Sequence, residues 1–162
     1  MIAKTLKSLF LGVAMMVGGN AHAGEGNLNG RSLADGQVIS LCGSNNRFLS
    51  SENGTRTMRC NRVSIGAWER FTVEMVSTNP ERFFLKASNG RYIRIQTNSR
   101  MRASATSTAD AALFTDDDNT NSAGQHSFDV RGTFLSSENG TQAVRVNRRS
   151  VGAWERWDVS GR

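Results

Sequence analysis

Histidine, cysteine and lysine are scarce in this chain: two, two and three in 162 residues. Beyond His22 only His126 is left, without a partner at any repeating spacing. A lone histidine in a strand reads as a packing or surface residue, so imidazole chemistry has no constellation to work in. No phosphate-cradling glycine loop, nucleophile elbow, zinc spacing or dinucleotide fingerprint occurs. An enzyme is therefore not expected, nor is a metal or other cofactor. Past the first two dozen residues no apolar run is long enough to span a bilayer. No segment sustains a helical period, which argues for an all-β chain.

What is present begins with a targeting pattern. Lys4 and Lys7 precede the short apolar run Leu9–Val17, and Ala21-His22-Ala23 fits a small-x-small cleavage site. Residues 1–23 thus read as a signal peptide, with no cysteine at the cleavage point to carry a lipid, and the expected location is secreted or periplasmic. Residues 24–162 are the usual size of one domain. They hold seventeen arginines and a single lysine, Lys86, against fourteen acidic residues. Arginine's planar fork suits carboxylate, sulfate or phosphate. The positive residues alternate with acids instead of forming a block, so a nucleic-acid partner is not expected. Cys42 and Cys60 admit two readings: one disulfide, reasonable in an oxidising compartment, or two buried thiols on neighbouring strands.

The chain repeats itself. Phe48–Val73 and Phe134–Val159 match at 18 of 26 positions without a gap, offset by 86 residues. A worn third copy lies midway: Phe71, Phe114 and Trp157 fall 43 apart, as do Met58, Met101 and Val144, and Cys60, Ala103 and Val146. Tyr92-Ile93 answers Phe48-Leu49 and Phe134-Leu135. In the first copy the strand candidates are Gln37–Cys42, Arg47–Ser51, Thr57–Cys60 and Arg70–Glu74, with turns at Asn53-Gly54 and Asn139-Gly140. Twelve short strands in three equal units predict a β-trefoil: six strands in a closed barrel and six in hairpins capping it. Three blades are too few for a propeller. The expected organisation is a flexible leader over 24–35 and a β-trefoil domain over 36–162, with repeats at about 36–78, 79–122 and 123–162. The polar Thr115–Gln125, including Asp116-Asp117-Asp118, reads as a solvated loop without the alternate spacing of a calcium loop.

The pattern CG-x-x-x-x-FLSSENG followed by NR-x-S-x-GAWERF resembles the fascin-like β-trefoil modules. These occur in the actin-bundling fascins and, closer in pattern, in bacterial secreted proteins, where they behave as carbohydrate-binding modules. The resemblance implies a lectin-like, non-catalytic protein whose partner is a glycan or polysaccharide. A protein-binding trefoil is the alternative, with Thr115–Gln125 the loop to use. Ligand-binding candidates are Glu52, Asn53, Asn61, Arg62, Trp68 and Glu69 in repeat one. In repeat three they are Glu138, Asn139, Asn147, Arg148, Trp154 and Glu155. Sugar recognition needs a flat apolar ring and planar polar groups that reach vicinal hydroxyls, and these sets contain both. Each also has an architectural reading: tryptophan as a plug in the barrel, Glu-Asn as turn chemistry, Glu-Arg as a surface ion pair. The middle repeat has Ala111 and Ala112 in place of the Trp-Glu pair, which would leave two sites.

Overall fold

Short apolar runs separated by Asn-Gly and Asn-Arg turns become strands at nearly every predicted position. The computed structural model describes residues 25–117 and 123–162, so the segment expected to be a signal peptide, with Gly24, and residues 118–122 of the expected polar loop lie outside the described residues. A two-residue strand, β1 (Gly26–Asn27), precedes the repeats. Repeat one supplies β2 (Val38–Gly43), β3 (Phe48–Ser50), β4 (Arg59–Arg62) and β5 (Phe71–Thr78). Repeat two supplies β6 (Glu81–Ala87), β7 (Tyr92–Ile95), β8 (Met101–Ala105) and β9 (Phe114–Asp117). Repeat three supplies β10 (Ser127–Val130), β11 (Thr133–Ser136), β12 (Arg145–Arg148) and β13 (Trp157–Gly161).

The strands β13-β2-β5-β6-β9-β10 are paired in that order. The ring closes where His126 and Trp157 exchange two backbone hydrogen bonds, each 2.9 Å. Closure leaves no long sheet edge to invite another chain. The hairpins β3–β4, β7–β8 and β11–β12 form the cap, and each has a register irregularity at the same place: Phe48/Leu49, Tyr92/Ile93 and Phe134/Leu135. The starts of their returning strands meet on the pseudo-three-fold axis, where the Met58 amide donates to the Met101 carbonyl (2.9 Å) and the Val144 amide to the Met58 carbonyl (3.0 Å). The fold is an all-β β-trefoil.

Positions 43 apart are the core. Phe71, Phe114 and Trp157 are buried, as are Met58, Met101 and Val144 around the axis. Burying each such side chain contributes about 1.5–3 kcal/mol. Trp157 adds a polar atom to this layer and satisfies it by donating from Nε1 to the Leu135 carbonyl, 3.0 Å.

Two expectations are corrected. The cysteines are not bonded: Cys42 and Cys60 are both free and buried. Alternation explains it. Cys42 pairs with Phe48 and packs with it and Ile65 in a small cluster, while Cys60 pairs with Leu49 and points into the main core. The Cys60 thiol donates to the Arg47 carbonyl at 3.0 Å. Burial pushes the thiol of Cys42 up to about 11 and that of Cys60 up to about 12. Nor is the segment before residue 36 loose. From Glu25 onward it is strapped across the barrel: β1 extends the sheet beside β13, Leu28 and Leu33 enter the core, and Glu25 pairs with Arg70 at 3.0 Å.

Candidate functional site

The predicted site residues assemble in two near-identical clusters, and the local backbone explains their order in sequence. In the Gly-Ala-Trp-Glu turn of repeat one, the chain doubles back so that the Glu69 carboxylate accepts from the Gly66 amide at 2.8 Å. The carboxylate lies so close that a Cβ on Gly66 would sit 3.0 Å from it, which accounts for the glycine. The Trp68 carbonyl then accepts from the Ser51 amide at 2.8 Å, fastening the turn to the end of β3. Repeat three does the same, with Glu155 on the Gly152 amide (2.9 Å) and the Trp154 carbonyl on the Ser137 amide (2.8 Å).

An arginine joins each cluster's two acids. Arg62 reaches Glu52 at 2.7 Å and Glu69 at 3.8 Å, and its guanidinium lies 5.8 Å from the centre of the Trp68 ring. Arg148 reaches Glu138 at 3.4 Å and Glu155 at 3.8 Å, and lies 5.7 Å from the Trp154 ring. The arrangement is a guanidinium placed over an indole ring and bridged to two carboxylates. Glu69, Glu138 and Glu155 are buried, whereas Trp68 and Trp154 remain 42% and 40% exposed. The tryptophans are therefore not plugs of the barrel; Phe71 and Trp157 fill that role. Asn61 and Asn147 are exposed, and neither side chain bonds to its cluster among the described residues.

Asn53 and Asn139 serve a different purpose. Glu52, Asn53 and Gly54 all have left-handed backbone (φ 50°, 52° and 72°), and so do Glu138, Asn139 and Gly140 (φ 49°, 51° and 71°). Only such a turn lets the chain dock on the next repeat. The Asn53 carbonyl accepts from the Asn89 side chain at 3.1 Å, and the Gly54 carbonyl from Arg102 Nε at 2.8 Å. In the same way Gly140 lies over the Cys60 carbonyl, which takes a hydrogen bond from Asn45 at 2.9 Å. These turns, including their Asn-Gly-Thr sequons, are joints between repeats.

One buried polar group was not foreseen as significant. His126 places Nδ1 2.7 Å from Asp116 Oδ2 and Nε2 3.1 Å from the Leu28 carbonyl, stacked on Phe128. Burial opposes its charge, but the Asp116 hydrogen bond and charge, the Leu28 carbonyl and the charge of Glu81 together outweigh this and raise its pKa. No periodicity could point to it, because the pairing is unique to the junction where the barrel closes.

The Fascin domain model matches residues 32–116, more than half of the chain. This chain belongs to the Fascin domain family. The matched span is repeats one and two; the third repeat carries the same motif by its identity to the first. The designed three-fold symmetric protein ThreeFoil has a similar solved structure, with a TM-score of 0.63 at 16% identity, covering 75% of this chain and 96% of that one. At that identity the likeness concerns the trefoil fold alone. No curated protein matches the chain. A Fascin-domain trefoil is a non-catalytic module, and among the described residues no three acidic, histidine or cysteine side chains gather as a metal set.

Proposed function

We propose that this Fascin domain is an exported binding module whose partner is a protein, engaged through the Trp68 and Trp154 faces. The observation that carries the reading is that both clusters are closed on themselves. The carboxylates expected to orient sugar hydroxyls already hold an arginine and a backbone amide, and the Asn53 and Asn139 turns are joints. What each cluster offers outward is a half-exposed indole, stiffened on one side by a guanidinium. Tryptophan and arginine are the residue types that concentrate energy in protein interfaces, because a rigid ring loses little entropy on burial. Val63, the residue after Arg62, is 61% exposed in repeat one and is replaced by Arg149 in repeat three, so the first repeat is the more apolar there.

The test is photo-crosslinking in the native host from Ala67 and Ala153, the exposed residues that precede the tryptophans, with Trp68→Ala/Trp154→Ala as competitor and a glycan array in parallel. A protein adduct that the wild-type domain competes away and the folded double variant does not would support the reading. Loss of one interface tryptophan is expected to weaken binding by about 30-fold, the effect of about 2 kcal/mol. Tryptophan-dependent glycan binding with no protein adduct would overturn it.

A further inference from the structure

We infer that the outer face of the hairpin cap, on the pseudo-three-fold axis, is a binding site for a tetrahedral oxyanion: the sulfate or phosphate group of a ligand. Its residues are Arg59, Arg100, Arg102 and Arg145.

Met58, Met101 and Val144 point inward around the axis and are completely buried. Strand alternation turns the residues beside them outward. Arg59, Arg102 and Arg145 each follow one of these core residues and lie 43 apart, so the three repeats present one arginine each at the same place. Arg100 adds a fourth. It bridges directly to Arg145 in antiparallel register, as Arg59 does to Ala143, so Arg100 and Arg145 share one side of the cap.

Like charges set directly opposite each other are destabilising unless something lies between them. Nothing in the chain does so: among the described residues none of these four arginines pairs with a carboxylate. The other arginines near acids do pair, Arg62 and Arg148 in the clusters and Arg70 with Glu25. The cap arginines are nonetheless partly fixed. Arg102 is held by the Gly54 and Thr55 carbonyls at 2.8 and 3.1 Å. Arg145 contacts Gln142 at only 3.4 Å, and its Nε is buried with no hydrogen-bond partner. A donor withdrawn from water and left unbonded is costly, and an incoming anion would satisfy it.

The chemistry selects the anion. A carboxylate presents two oxygens and one charge, which suits a single arginine fork. Two arginines at directly opposed backbone positions, Arg100 and Arg145, with Arg59 and Arg102 at the equivalent positions of the other repeats, match a group with more oxygens and up to two charges. Sulfate and phosphate esters have that shape. This site is separate from the Trp68 and Trp154 faces and does not depend on them.

The experiment is thermal unfolding of the intact chain and of Arg100→Gln, titrated with inorganic sulfate or inorganic phosphate and compared with chloride at matched ionic strength. The Arg100 side chain is exposed and makes no hydrogen bond or ion pair among the described residues, so its replacement should not impair folding. In dilute buffer the variant is expected to melt at or above the wild type, since one opposed charge is gone. Sulfate, phosphate or both should raise the wild-type midpoint beyond chloride, with apparent affinity about tenfold weaker in Arg100→Gln, as loss of a charge-assisted hydrogen bond gives. Sulfate also stabilises proteins non-specifically, but that contribution is equal in both chains. A response to sulfate alone assigns a sulfate ester and to phosphate alone a phosphate ester. Equal shifts in wild type and variant, or a chloride response as large as the oxyanion's, would overturn the site. Arg59→Gln should reproduce the loss.

Discussion

His126 faces an acceptor with each ring nitrogen, so only the doubly protonated ring can donate to both Asp116 and the Leu28 carbonyl. Its folded pKa is raised above the ordinary value. The stabilisation is therefore complete below the unfolded value of about 6.5 and fades as the pH rises through the folded one. Wild type should lose urea resistance as the pH rises above about 6.5, and His126→Gln should show less of that decline. Because the replacement breaks a buried pair, the variant should be less stable by about 3 kcal/mol at the acid end. A decline of the same size in both proteins would place the titration elsewhere. The cysteines make a second test at this scale. Burial holds the thiols of Cys42 and Cys60 at about 11 and 12, so an aromatic disulfide reagent at neutral pH should find neither until the chain unfolds. The melting midpoint should not change with reductant.

Among the elements, the strands were legible because their signal is local and written three times. Alternation marks β4, β8 and β12, and the 43-residue spacing identifies the buried positions even in the worn repeat. The Glu-Asn-Gly turns were legible as turns, but not as joints: their partners, Asn89 and Asn45, lie in other repeats. The Gly-Ala-Trp-Glu motif was ambiguous for a similar reason, since sequence does not show that its carboxylate folds back on its own glycine amide. The joints can be tested by comparing two glycines. Gly54 and Gly90 both have left-handed backbone, φ 72° and 78°. A Cβ on Gly90 meets nothing, whereas one on Gly54 would run into the Ala103 carbonyl and the Asn89 side chain. Gly90→Ala should cost about 1 kcal/mol, the conformational penalty alone. Gly54→Ala should cost about 3 kcal/mol, since backbone at the joint must also move. Chemical denaturation of the two variants measures the difference.

For the molecule as a whole, three similar units must close into one ring, and closure is sealed at the junction of β10 and β13. The strap before residue 36 lies across that junction. The Leu28 amide donates to the Val159 carbonyl at 2.8 Å, the Asn29 side chain reaches Asp158 at 2.7 Å, and the Leu28 carbonyl takes the His126 ring at 3.1 Å. Its polar, glycine-bearing sequence shows no alternation and reads as a mobile leader; β1 forms only by pairing with the last residues of β13, beyond the His126–Trp157 bridge. A chain beginning at Gly36 would expose the core around Leu28 and Leu33, worth about 3–6 kcal/mol for the two leucines. It would also leave His126 one acceptor short and bring water to the Asp116 pair. The truncated domain should fold with a much lower denaturant midpoint, and a smaller share of its stability should depend on pH. Hydrogen exchange should then show opening at His126 and Trp157 before β5 and β6, on the far side of the ring. If exchange were instead uniform across all barrel strands, closure would be distributed over the three repeats and the strap would be only a covering.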